Sequence, residues 1–387
     1  MTQVLPWRSG ADARALVRHA ARALAAGRLV AFPTETVYGL AASALAVEGV
    51  SRLVHGKGRS AGKPLTLAIG SAAEALDWVP EISALGRRLA RRCWPGPVTL
   101  VFDDGIESGL ASRLPESVRD TICPTGSLGL RVPAHSAILQ VLRTLPGPLV
   151  LTSANTSGAE PAVSADQVAQ LAPALGEDLA LIVNDGPCHY GQASTVVKVK
   201  RDCFEVLREG VVTAPELERL SLCVILFVCT GNTCRSPLAE ALCKKMLADR
   251  LGCPVGDLPQ RGFMVLSAGL AAMMGAGAAE EAIEVAREMG ADLTQHGSRP
   301  LSAELAGQAD YIFAMTRGHL QAIADQISQI ARVARVGDRG QLGVVPRLLC
   351  GEGYDIADPI GCSREVYREC AQQIARSLEG LLPELRP

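Results

Sequence analysis

The sequence predicts two α/β domains in series, on three observations. At 387 residues the chain exceeds what one ordinary hydrophobic core organises, so two cores are the starting expectation. Two segments read as domain beginnings: an amphipathic helix from Ala11 to Ala26 feeding the strand Leu29-Val30-Ala31-Phe32, and the apolar run Leu222-Cys223-Val224-Ile225-Leu226-Phe227-Val228, continuous as in a buried parallel strand. After the second beginning helices and strands alternate, the mark of an open α/β sheet covered by helices.

In chain order, the first strand runs into a Pro-Thr turn. Val196-Val197-Lys198-Val199 and Glu205-Val206-Leu207-Arg208 then read as the arms of a closing hairpin, which ends the first domain near Val212. Thr213 to Leu222 reads as a short helical connector with Pro215 in its first turn. The expected division is therefore 1–212, a linker over 213–221, and 222–387. In the second domain a helix begins at Ser236-Pro237, and others are expected over Ala279 to Met289, Ser302 to Ala306, Arg317 to Ile327 and Ser363 to Leu382, with a strand over Tyr311 to Met315.

Composition excludes more than it assigns. The chain is 48% hydrophobic and 20% charged with a net charge of -2, which is ordinary for a globular protein and gives no sign of a generic nucleic-acid or membrane binder. Its 12 cysteines are scattered without a Cys-x-x-Cys pair or Cys/His ligand spacing, so reduced thiols in a cytosol are expected and no structural metal. No apolar run approaches the roughly 20 residues of a membrane span, and Met1 to Arg8 lacks a signal peptide's apolar core. The Arg/Ala-rich stretch from Ala11 to Arg28 imitates a transit peptide, but it leads straight into a strand and reads as a folded helix.

The strongest chemical signal is Val228-Cys229-Thr230-Gly231-Asn232-Thr233-Cys234-Arg235-Ser236-Pro237. Cysteine attack on phosphorus needs a thiolate, a cradle for the non-bridging oxygens and an acid for the leaving group. A strand delivers Cys229 to its C-terminal end, residues 230 to 235 can turn their N–H groups around a dianion, and the helix beginning at Ser236 adds its positive end. Arg235 can close the loop with a bidentate fork, and the Ser236 hydroxyl can donate to the sulfur and favour the thiolate. Asp358, in Ala357-Asp358-Pro359-Ile360-Gly361, is the candidate acid, aimed by the turn at Pro359.

With Ser267-Ala268-Gly269 and Asp310-Tyr311-Ile312-Phe313-Ala314-Met315 added, residues 222 to about 384 resemble a low-molecular-weight protein tyrosine phosphatase. The resemblance implies a phosphocysteine intermediate on Cys229, phosphate binding by Arg235, Asp358 as acid and then base, and no cofactor. Members acting on phosphotyrosine carry a bulky aliphatic where this chain has Thr233, and aromatics where it has Ile360-Gly361. The loop with Thr233 resembles the protein-arginine phosphatase branch, so a phosphorylated protein bearing phosphoarginine is favoured over phosphotyrosine. Arsenate reductases share a similar loop and rely on a resolving cysteine pair; Cys350, Cys362 and Cys370 are available, but their spacing does not make that pair obvious, so arsenate reduction is the less favoured reading. Cys234 could serve as a disulfide partner that protects Cys229 from oxidation, or simply as a small buried residue.

In the first half, Phe32-Pro33-Thr34-Glu35-Thr36-Val37-Tyr38-Gly39-Leu40 puts hydroxyls and a carboxylate on a tight turn after a strand. Lys57-Gly58-Arg59, Arg131, Thr152-Ser153-Ala154-Asn155 and Ser194-Thr195 add cations and hydroxyls, without a Walker loop. Taken in order with Trp94-Pro95-Gly96-Pro97, they resemble the Sua5/YrdC family over residues 10 to 212. That resemblance implies a twisted mixed sheet around a basic cavity. It also implies synthesis of L-threonylcarbamoyl-adenylate from L-threonine, bicarbonate and ATP with Mg2+, for the t6A modification of tRNA. Thr36, Arg131 and Ser194 would hold threonine, and Lys57, Arg59, Ser153, Asn155 and Arg208 the ATP phosphates or adenylate. Partners would be tRNA or the t6A transfer machinery. The competing reading is a working phosphatase with a nucleotide- or RNA-binding regulatory domain that synthesises nothing.

Overall fold

A computed structural model describes residues 2–8, 10–58, 64–156, 158–333, 344–351 and 354–387. The chain divides into two units, Met1–Leu220 and Ser221–Pro387. The helix Ala214–Ser221 occupies the expected connector, and its Leu217 is buried in the first unit's core.

The first unit is built on a ten-stranded mixed sheet. Its strands are β1 (Gln3–Pro6), β2 (Leu29–Phe32), β3 (Gly39–Ser43), β4 (Thr66–Ala68), β5 (Val98–Phe102), β6 (Leu128–Arg131), β7 (Leu149–Ser153), β8 (Leu179–Asn184), β9 (Thr195–Val199) and β10 (Phe204–Arg208), in the order β1-β8-β2-β3-β7-β4-β6-β5-β9-β10. Strand β2 shows why its sequence is apolar throughout. Leu29 and Ala31 enter one core while Val30 and Phe32 enter the other, so both faces are covered. The second of these cores lies under the helix Ala11–Ala25, whose Leu16, Val17, Ala20 and Leu24 follow helical spacing and pack with Ile138 and Val141 of the helix Ser136–Thr144.

This pairing gathers polar strand ends. Antiparallel β3 and β7 pair Gly39 with Ser153, so the Pro-Thr turn before β3 lies where β7 ends. Parallel β5 and β9 pair Val98 with Thr195, and antiparallel β5 and β6 bring Leu100 beside Leu130.

The second unit has a four-stranded parallel sheet, β12-β11-β13-β14, from β11 (Cys223–Cys229), β12 (Phe263–Gly269), β13 (Tyr311–Ala314) and β14 (Arg347–Leu348). Every residue of β11 is buried, which accounts for its continuous apolar run. With β12 on one side and β13 on the other, the chain leaves β11 at the point where strand order reverses. In parallel sheets the crevice for ligands opens there, at the C-terminal strand end, and Cys229 occupies that end.

The helix Arg235–Leu251 follows the loop, with Pro237 in its first turn and Gly252 as a left-handed cap at φ 62. Ser302 caps the helix Ala303–Gln308 by accepting from Leu305 N. The helix Arg317–Val333 runs past the expected end at Ile327, since no Gly or Pro stands in 328–333 to stop it. No helix among the described residues is long and apolar enough to cross a membrane.

Candidate active sites

In the second unit the loop after β11 closes on its own nucleophile. Asn232 adopts φ 58, unusual for a residue with a Cβ, and this turns its N–H onto Cys229 Sγ at 3.3 Å. Five further bonds hold that conformation. Asn232 Nδ2 donates to Ser236 Oγ (2.9 Å) and Ser267 Oγ (2.8 Å), and its Oδ1 accepts from Arg299 N (2.9 Å). Its carbonyl accepts from His296 Nε2 at 2.8 Å, and Ser267 Oγ in turn donates to Glu240 at 2.6 Å. The chain Glu240, Ser267, Asn232, Ser236, Cys229 is buried along its whole length.

Ser236 Oγ lies 2.9 Å from Cys229 Sγ and 3.2 Å from the Ala268 carbonyl. Arg235, 5% exposed, donates to the Ile356 carbonyl and forms an ion pair with Asp358. The structure thus brings Cys229, Ser236, Arg235 and Asp358 to one place although Asp358 lies far downstream. Cys234 is buried with its sulfur 3.3 Å from Tyr367 Oη, and burial pushes the Tyr367 phenol well above its ordinary range. Thr233 is half-buried, its hydroxyl 3.6 Å from Cys234 Sγ. Exposed Thr230 is 2.9 Å from His319 Nε2, and Gly231 completes the loop.

The network behind Asn232 was missed in the sequence reading. Glu240, Ser267 and the pair His296 and Arg299 come from three separate stretches of the chain, and only Ser267, within a quoted stretch, left any local signal.

The first unit has a cleft of about 340 Å³, lined among others by Thr34, Thr99, Arg131, Ser153, Ser194 and Arg208. Lys57 is buried, and its ammonium donates to Ser153 O (2.5 Å), Ser153 Oγ (2.9 Å) and Asn155 Oδ1 (2.9 Å). Three residues expected to act together are therefore joined. Arg131 donates to Thr36 Oγ1 at 2.8 Å and pairs with Glu35 at 2.7 Å, both side chains under a tenth exposed.

The other Glu35 oxygen accepts from Ala134 N at 2.8 Å. Arg208 donates to Ser194 O (2.6 Å) and Oγ (3.2 Å), and Ser194 Oγ is 3.2 Å from Thr99 Oγ1. Burial, then the nearby Arg131 guanidinium, pulls the Arg208 pKa below its ordinary value. Arg59 lies outside the described residues.

Glu35 was legible as the turn's carboxylate but not as the partner of Arg131; Thr99 lies in the stretch Trp94 to Leu100 that carries the family resemblance, but no role was read for it. Among the described residues no group of three His, Cys, Asp or Glu side chains could hold a metal ion.

A thiol on a phosphate-sized loop and a cleft with two guanidinium groups define two enzyme-like sites of unrelated chemistry. Comparisons with known proteins divide the chain the same way. A family described as "Telomere recombination", comprising Sua5, YciO and YrdC proteins, matches residues 22–210, and "Low molecular weight phosphotyrosine protein phosphatase" matches 224–387.

The threonylcarbamoyl-AMP synthase of Pyrococcus abyssi is 35% identical over 53% of this chain, which spans only 56% of that relative. A putative threonylcarbamoyl-AMP synthase of Mycobacterium tuberculosis is 32% identical over 50% of this chain and 84% of its own length. A solved structure of a P. abyssi Sua5 variant superposes with a TM-score of 0.50 at 21% identity over 96% of each chain, a likeness of fold. The chain belongs to the Sua5/YrdC family through its first unit, and its second unit matches the low-molecular-weight phosphatase model over residues 224–387.

Proposed function

We propose that the chain is a bifunctional cytoplasmic enzyme. The first unit makes L-threonylcarbamoyl-adenylate from L-threonine, bicarbonate and ATP, releasing pyrophosphate, and the product serves t6A modification of tRNA. The second is a cysteine-dependent protein phosphatase that prefers phosphoarginine to phosphotyrosine.

The joining of Lys57 and Asn155 to Ser153, which lines one cleft with Arg131 and Arg208, carries the first reading. The printed names of the relatives support it. Thr36, Arg131 and Ser194 hold threonine, with Glu35 fixing the direction of Arg131. Lys57, Arg59, Ser153, Asn155 and Arg208 hold the nucleotide, and Arg208 touches both groups through Ser194. Such a site needs positioning and charge neutralisation rather than a nucleophile. Glu35 is committed to Arg131 and Ala134, so Mg2+ belongs to the ATP that enters and not to the protein.

Cys229, with Ser236 and the Asn232 N–H on its sulfur, carries the second reading. The thiolate attacks phosphorus and Arg235 forks onto two oxygens. Asp358, displaced from Arg235 by the dianion, takes up a proton and gives it to the leaving nitrogen or oxygen. It then removes a proton from the water that hydrolyses the phosphocysteine.

One crossed experiment tests both readings. Pyrophosphate release that needs both threonine and bicarbonate should vanish in Arg131→Ala and persist in Cys229→Ser. Hydrolysis of p-nitrophenyl phosphate should do the reverse. Release independent of threonine would favour the nucleotide-binding regulator instead.

A further inference from the structure

The phosphatase unit buries a histidine that no step above uses. His319, near the start of the helix Arg317–Val333, is 8% exposed. Its Nε2 lies 2.9 Å from Thr230 Oγ1, while its Nδ1 is buried without a hydrogen-bond partner among the described residues. Thr230 directly follows the nucleophile and is exposed. The backbone there is fixed, because the Cys229 carbonyl accepts from Leu270 N and the Thr230 carbonyl from Ala271 N.

A neutral imidazole carries one N–H, and the two placements differ in cost. On Nδ1 the proton would be a buried donor with no acceptor. On Nε2 the orphan is a lone pair, and protein interiors leave acceptors unpaired more readily than donors. Protonating both nitrogens would orphan a donor as well. The charged groups facing the ring are Arg235 from the loop helix and Asp358 and Asp355 from the segment before the last helix. Burial, then Arg235, lowers the pKa of His319 against the opposing pull of the two carboxylates.

We infer that His319 is a positioning residue of the phosphatase site: it donates from Nε2 to Thr230 and leaves the Thr230 hydroxyl proton free to bind a phosphoryl oxygen of the substrate. Thr230 thereby becomes a contact for the dianion beside the backbone cradle and Arg235. The opposite tautomer would draw the hydroxyl proton inward and present only lone pairs to a negative group. This assignment rests on the phosphatase reading of Cys229.

Two measurements on the full chain test it. Ring nitrogen-15 NMR should show His319 neutral with its proton on Nε2 at pH 7, the signal moving in Thr230→Val; a proton on Nδ1 would overturn the inference. With p-nitrophenyl phosphate, His319→Leu and Thr230→Val should each raise KM about fivefold to tenfold, more than they lower kcat, as expected for one lost bond to a charged group. The Kd for inorganic phosphate should rise in parallel, and the double variant should be no worse than Thr230→Val alone. His319→Gln, a neutral donor, should recover most of the affinity. Additive losses, or His319→Leu equal to the unaltered protein, would refute the role. If the unaltered protein neither hydrolyses the ester nor binds phosphate while the ring shows the expected tautomer, the phosphatase reading is what has failed, and the inference falls with it.

Discussion

Ser236 has one proton and two acceptors for it. With Cys229 as a thiol, the S–H can donate to Ser236 Oγ while Ser236 donates to the Ala268 carbonyl; with a thiolate, the hydroxyl turns to sulfur. Asn232 Nδ2 bonds the same oxygen in both states, so the switch costs a torsion and exchanges the bond to the Ala268 carbonyl for one to the thiolate. In the proposed reading, substrate choice belongs to a neighbouring side chain. Thr233→Ile should shift relative kcat/KM from phosphoarginine towards phosphotyrosine by about tenfold, and an unchanged ratio would remove Thr233 as the selector.

His319 makes a separate claim about pH. Its pKa in the folded chain lies below the ordinary value of about 6.5, so at acid pH the unfolded chain binds a proton that the folded one refuses. This contribution to stability is complete above about pH 6.5 and is lost as pH falls below it. Between pH 7 and pH 5 the second unit's Tm should therefore drop less in His319→Gln than in the unaltered protein.

At the scale of elements, β11 and β12 work as a pair. Their register sets Cys229 against Gly269, and a Cβ at Gly269 would stand 2.5 Å from the Thr230 carbonyl and 3.0 Å from Asn232 N. Only glycine admits the loop so close to the strand. Gly269→Ala should cost roughly 1–3 kcal/mol in stability, read by denaturant unfolding, and should lower phosphatase kcat because the loop must shift. The Ser267-Ala268-Gly269 stretch was legible in the sequence, but its steric role depends on a neighbour some 40 residues away.

The same contrast runs through the chain. The loop could be read because strand, glycine, arginine and serine are contiguous, and Asp358 because a Pro follows it. The hairpin of β9 and β10 was visible for the same reason. By contrast β4 has three residues, too few to show a period, and most strands between β3 and β8 are buried without alternation. Asn232 was assigned to the loop, but the side chains that hold its left-handed backbone meet only in three dimensions.

For the whole molecule, each unit has its own sheet and its own buried clusters. A ligand that binds only the native form stabilises its own core, by about 2.7 kcal/mol at a hundredfold excess over Kd. Inorganic phosphate should raise one unfolding transition in a calorimetric scan, and ATP with threonine the other. A single transition raised equally by both ligands would show that the two cores unfold together.

Asp358 is paired with Arg235. Arg235 thus has a counterion built into the chain, a tethered carboxylate that any incoming anion must outcompete. A monoanion such as chloride offers Arg235 no better bargain than the partner it already has, whereas a phosphoryl dianion brings twice the charge and fits the fork. In the proposed mechanism, evicting that tether also frees the acid. Arrival of the right cargo and arming of the site are therefore one event.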